Sequence, residues 1–131
     1  MITVIQANGL AIIVGSILAF GFGMIWYHPK IFGTIWANEQ PHIKNPDGFG
    51  MQKGMALGMA SSVVDSLLMA SVIALLLTAY QIEAVGLLAL AIIVGTHTGT
   101  IFRGGSHKLW LVDAGFLVSQ LLIILGSLAI L

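Results

Sequence analysis

The chain contains no cysteine, so disulfides, thiol nucleophiles and cysteine-based zinc or iron–sulfur centres are excluded. Charge is almost as scarce: five Lys+Arg and five Asp+Glu in 131 residues, 8% in all and balanced to zero. Soluble globular domains carry about a quarter charged residues. The deficit excludes a basic nucleic-acid surface, a disordered polyelectrolyte and an ordinary water-soluble enzyme. Proline occurs three times, at Pro29, Pro41 and Pro46, all in one stretch. The bulk of the chain is aliphatic: 58% of it is hydrophobic, and the mean hydropathy is +1.03. Its solvent is therefore a lipid bilayer.

A helix crossing ~30 Å of hydrocarbon needs about 20 apolar residues. The first such run covers about 4–27 and ends before Lys30. Positions 28–53 form a polar connection holding every proline and the turn signal Asn45-Pro46-Asp47-Gly48. From Gly54 to Phe102 only Asp65 and Glu83 are charged, and a continuous helix there would be roughly 73 Å long. The stretch must fold back, and Ala79-Tyr80-Gln81-Ile82-Glu83 is the polar seam that allows it. The spacing predicts helices at 54–78 and 83–102, a basic turn from Arg103 to Lys108, and a fourth helix at 109–131. The expectation is a single all-α membrane domain with four transmembrane helices. The first run lacks the basic flank and cleavage pattern of a signal peptide and is expected to be retained. No lipidation signal is present.

Lys30, Lys44, Lys53, Arg103 and Lys108 all fall in the first and third connections. By the positive-inside tendency these face the cytoplasm, which puts both termini on the non-cytoplasmic side of a cell membrane, the inner membrane in a bacterium. Trp26, Tyr27, Trp36 and Trp110 would then mark the cytoplasmic interface, and Tyr80 the outer one. Ile31, Phe32, Ile35 and Trp36 share a side at helical spacing, which predicts a short interfacial helix after the first span.

Helices in lipid associate through close packing and interhelical hydrogen bonds. Small residues recur every fourth position: Ala7, Ala11, Gly15, Ala19 and Gly23 in the first span, and Gly54, Gly58, Ser62, Ser66, Ala70, Ala74 and Thr78 in the second. Ala91, Gly95 and Gly99 continue the theme in the third, and Gly115 and Ser119 in the fourth. These rows are expected to line helix contacts, within one chain or between copies in a homo-oligomer.

Ionisable groups at membrane depth are costly and point to function. Counted from Lys53 at ~1.5 Å per residue, Asp65 lies about 18 Å into the membrane. Gln120 and Ser16 are equally deep, and the three are expected to form one polar layer. His97 and Asp113 are shallower and would meet if the third and fourth helices are antiparallel neighbours. With Thr100, Arg103 and His107 they would form a polar funnel leading to Gln120 and Asp65. Carboxylate–histidine chains of this kind serve proton relays and solute paths. The same groups would equally serve as hydrogen-bonded pins between helices.

The segment Trp26-Tyr27-His28-Pro29-Lys30-Ile31-Phe32-Gly33-Thr34-Ile35-Trp36 resembles the W-Y-x-P-x-x-F-G-x-x-W elbow of a family of small bacterial membrane proteins, the domain-of-unknown-function 1761 family. Asp113-Ala114-Gly115-Phe116 is similar to that family's fourth-helix segment, with Asp113 where an amide is usual. His28 likewise stands where Ser is usual. The resemblance spans nearly the whole chain and implies the four-helix layout, not an activity. Read physically, Pro29 ends the span, Gly33 permits close approach, and the aromatics anchor at headgroup depth or grip a ligand.

No His-x-x-x-His or Gly-x-Ser-x-Gly element occurs, and Gly104-Gly105-Ser106-His107 is too short for a phosphate loop. Neither metal, cofactor, catalysis nor nucleic acid is expected. The function expected is a small transport or permeation protein for a solute or ion, with proton coupling open. The alternative is a non-transporting accessory or assembly subunit of a membrane complex.

Overall fold

The computed structural model describes residues 2–39, 55–102 and 104–131, apart from the side chains of 55–59 and 102. The expected turn at 45–48, His42, Lys44, Lys53, Gly54 and Arg103 lie outside the described residues, as do the surroundings of Gly58. The helices are α1 (Ile2–Ala7), α2 (Gly9–Trp26), α3 (Thr34–Asn38), α4 (Met55–Ala79), α5 (Ile82–Phe102) and α6 (His107–Ile130). Each of α2, α4, α5 and α6 contains an apolar stretch of at least 18 residues, long enough to span a bilayer. The chain is a multi-pass membrane protein.

The helix ends have local causes. The first run is not one clean helix. It divides at Asn8, where the backbone bends (φ −103°, ψ 11°) and the side-chain amide donates to the Val4 carbonyl at 2.9 Å. At the other end of α2, Pro29 forces His28 to an extended ψ of 141°, as a residue before proline prefers. The α4–α5 seam closes in two residues, Tyr80 and Gln81, with Gln81 at φ 144°. Between α5 and α6, Gly104 adopts φ +78°, and the Gly105 amide donates to the Thr100 carbonyl at 2.9 Å. A Cβ on Gly105 would lie 2.6 Å from the Thr100 methyl carbon, so the turn has no room for a side chain there. Ser106 then caps α6, its hydroxyl accepting from the Leu109 amide at 3.2 Å.

In the bundle, α2 packs most extensively against α6 and next against α4, while α5 packs against α6 and α4. The α2–α6 seam is antiparallel. Gly15 faces Ser127 and Ile124, Gly23 faces the Phe116 ring, and Gly115 on α6 faces the Trp26 indole. A Cβ at Gly15 would sit 3.1 Å from the Ser127 Cβ, and one at Gly115 only 2.9 Å from the Trp26 Cζ2. The first small-residue row therefore marks a real contact, with Ala11, Gly15 and Ala19 buried and Ala19 fully so. On α4 the row turns inward at Ser66, Ala70 and Ala74, whereas Ser62 and Thr78 are exposed. The core gathers Ile12, Ala19, Ala70, Ile73, Ala74, Val85 and Ile124.

The third row faces away from the bundle at two of its three positions. Ala91 and Gly95 are exposed, and a Cβ added at Gly95 would meet nothing within 4 Å; Gly99 is half-buried. Introducing Val at Gly15 should cost about 1–3 kcal/mol by overpacking against α6. Val at Gly86, which faces open space, should change stability by about 0.5 kcal/mol or less. Unfolding titrations of detergent-solubilised protein check the contrast, and equal effects would contradict the seam.

Candidate functional site: an aromatic latch and a polar layer

After the extended His28, five residues (Pro29–Gly33) wind as a π-helical turn, closed by the Gly33 amide donating to the His28 carbonyl at 3.0 Å. His28 Nδ1 accepts from the Lys30 amide at 3.2 Å, and the Thr34 hydroxyl donates to the Pro29 carbonyl at 2.8 Å. The wider turn shifts the register of α3. The expected apolar face splits: Gly33 and Ala37 are buried and Phe32 and Trp36 half-buried, but Ile31 and Ile35 are 45% and 44% exposed. The short helix thus turns its aromatic side to the bundle and two isoleucines outward.

That aromatic side closes onto α6. The Tyr27 hydroxyl donates to Asp113 Oδ1 at 2.7 Å, and Trp36 Nε1 donates to the same oxygen at 3.1 Å. Trp26 Nε1 donates to the Val112 carbonyl at 3.0 Å. The rings brace one another: Trp26 on Phe32 with centroids 4.5 Å apart, Tyr27 edge-on to Trp36 at 5.6 Å and to Phe116 at 5.3 Å. Tyr27 lies one residue beyond its span. Burial chiefly, and the Asp113 carboxyl beside it, raise the phenol's pKa above its ordinary range, so it stays a donor. The elbow and the Asp113–Phe116 segment are two halves of one latch.

Depth alone suggests that His97 meets Asp113. Its described contacts are with the other side of the α5–α6 turn instead. His97 Nε2 lies 3.3 Å from His107 Nδ1, with ring planes 20° apart, and its ring stands edge-on to Trp110 at 4.8 Å. Trp110 in turn donates to the Ile93 carbonyl at 3.2 Å. Thr100 is buried, packed against the Gly105 turn rather than open to a funnel.

At mid-bundle the expected polar layer forms, with one substitution. Gln120 Nε2 donates to the Ser66 hydroxyl at 3.0 Å. The Ser16 hydroxyl reaches the Ser66 carbonyl at 3.2 Å and its own helix at the Ile12 carbonyl, 2.6 Å away. All three side chains are buried. Ser66, not Asp65, supplies α4's part. Successive helical residues are turned by about 100°, so the inward row that points Ser66 at α2 and α6 carries Asp65 out of the layer. Asp65 is exposed, level with the polar layer, and has no hydrogen-bond partner among the described residues. No buried side-chain polar atom among the described residues lacks a partner, and no group of three or more possible metal ligands occurs among them. An apolar crevice between α4, α5 and α6, lined by Met69, Ile73, Val85, Leu117 and Leu121 among others, offers no polar group to a solute.

A family model described as "Protein of unknown function (DUF1761)" matches residues 10–128. The chain belongs to the DUF1761 family. No curated protein and no solved structure matches it. Both segments that carry the resemblance to DUF1761 proteins, the elbow and the fourth-helix turn around Asp113, lie within the matched residues, and here they bond to each other. Sequence reasoning places the elbow at the membrane interface and Asp113 a short way into the membrane, facing His97, and so misses their pairing; the available signal is two unpartnered donors and one acceptor on segments at one end of the bundle.

Tyr27→Phe keeps the ring contacts and deletes one donor, and should destabilise the protein by about 1–2 kcal/mol. In an Asp113→Ala background most of that loss should vanish. A double-mutant cycle read by thermal unfolding in detergent checks it, and simple additivity would contradict the latch.

Proposed function

We propose that this membrane protein is a small transport or permeation protein for an ion or small solute, with the proton as the coupled or permeant species, and that Asp65 is the residue its path depends on. Asp65 is an ionisable group at the level of the mid-bundle polar layer that the fold does not use. The described polar side chains inside the bundle have partners, whereas this carboxyl faces outward from α4. Placing an aspartate at the centre of a membrane helix costs about 2.5–3.5 kcal/mol on insertion scales, and such residues characteristically serve ion or proton pathways. The path supported by this arrangement passes along the outer side of α4 rather than through the middle of one chain, whose described crevice is apolar.

The His97–His107 pair fits the same reading. Two imidazoles joined end to end, one of them exposed, are suited to receive and pass a proton at the basic end of the bundle. In the proposed orientation that end is cytoplasmic and both termini lie outside.

The accessory-subunit reading has one observation in its favour: a bundle whose described interior polar groups are all paired is also what a purely structural protein would have. Flux separates the two. Protein reconstituted into liposomes containing a pH-sensitive dye should dissipate an imposed pH gradient, and Asp65→Asn should abolish that flux while leaving thermal stability unchanged. Equal flux from the wild type and Asp65→Asn would overturn the role of Asp65. No flux above protein-free liposomes would favour the accessory role.

A further inference from the structure

His97 on α5 and His107 on α6 are brought together by the turn that Gly104 and Gly105 make between the two helices. Among the described residues, His97 Nε2 and His107 Nδ1 have no hydrogen-bond partner except each other. His28 differs, because its Nδ1 already accepts from the Lys30 amide. Trp110 stands edge-on to His97 at 4.8 Å and holds its ring, while His107 is exposed, so the pair opens outward. Its geometry is not that of a straight hydrogen bond. The two nitrogens are 3.3 Å apart and the ring centroids 5.4 Å apart. A linear N–H···N bond of that length would set the centroids about 5.6 Å apart. A tetrahedral ion ~2.05 Å from each nitrogen would set the nitrogens about 3.3 Å and the centroids about 5.2 Å apart. The rings are already bent from the straight line toward a common apex.

We propose that His97 and His107 together bind a divalent transition-metal ion, zinc or copper(II), that bridges α5 and α6. Imidazole nitrogen is a preferred donor for both ions, whereas magnesium and calcium demand oxygen. The neutral rings then carry their protons on the outer nitrogens, His97 Nδ1 and His107 Nε2, and leave both inner lone pairs to the ion. No third histidine or carboxylate joins the pair among the described residues, so water completes the coordination shell and the ion is exchangeable. Lys108 is exposed and follows His107, but it is turned about 100° round the helix from it. The C-terminal end of α5 and the N-terminal end of α6 meet at this turn, and their opposite partial charges offset each other. Helical spacing within one span does not reveal such a site, because its two ligands lie on different helices. The inference does not rest on the transport reading, since two imidazoles bind an ion whether or not anything is carried.

Untagged, chelator-free protein in detergent is titrated with Cu2+ and, separately, with Zn2+. Copper(II) quenches a neighbouring indole, and Trp110 touches His97. Quenching should saturate at one ion per chain in the micromolar range. Zn2+ should compete for the same site and raise the thermal unfolding temperature. His97→Ala and His107→Ala should each weaken binding about 100-fold, because two donors held together act as a linked pair. His107 is exposed, so its replacement spares the packing of the bundle, and unchanged unfolding without metal shows that the variant is folded. Trp110→Phe should remove most of the quenching and keep the thermal shift caused by Zn2+. His28→Gln and His42→Gln should alter neither signal. Affinity indifferent to His97 and His107, or lost with His28 or His42, would overturn the inference. So would half-saturation reached only at millimolar ion, or quenching undiminished in Trp110→Phe.

Discussion

A hydrogen-bonding group in hydrocarbon has no solvent to fall back on, and the pairing of every described polar group buried inside this bundle follows from that constraint. Water would satisfy a stray hydroxyl or indole; lipid leaves it unpaired at a cost of several kcal/mol. Serines and threonines in the spans accordingly donate back to their own helices, as Ser71 does to Leu67 and Ser119 to Gly115. The residues that reach further join helices. Gln120 and Ser66 tie α6 to α4, Ser16 brings in α2, and the indoles of Trp26 and Trp36 find oxygens on α6.

The same constraint explains how the elbow end of the bundle differs in kind from its middle. At mid-depth the joints are few and short, because each polar group must be matched in place. At the end carrying the elbow, large aromatic rings with polar tips supply apolar area and donors together. The proline-limited end of α2 and the π-helical turn set Tyr27 and Trp36 so that both point at one oxygen of Asp113. That oxygen is common to aspartate and asparagine. The carboxyl that stands here where related sequences are expected to carry an amide therefore preserves both described hydrogen bonds.

The spans were legible in the sequence because hydropathy is read along one axis: the seam at Tyr80–Gln81 and the turn before Ser106 fell where polar residues interrupt aliphatic runs. Depth was legible for the same reason, and Ser16 and Gln120 do meet in one layer with α4. Azimuth was not. Counting residues places Asp65 and Ser66 at one height, but packing decides which of them turns inward, and the close approach at Ser66, Ala70 and Ala74 decides for Ser66. His97 and Asp113 are likewise similar in depth, yet one is drawn to His107 and Trp110 and the other to the elbow. The kink at Asn8 and the π-helical turn changed local register in ways that periodicity alone does not encode.

A dry, internally paired middle is the claim on which the rest turns, and side-chain amide exchange at Gln120 measures it most directly. In protein reconstituted in bilayers and transferred to deuterated buffer, the Gln120 side-chain N–H signals should persist long after exposed amides such as that of Gln81 have exchanged. Exchange of Gln120 as fast as Gln81 would mean that water runs through the bundle, contradicting both the hydrogen-bonded layer and a path displaced to the outer side of α4.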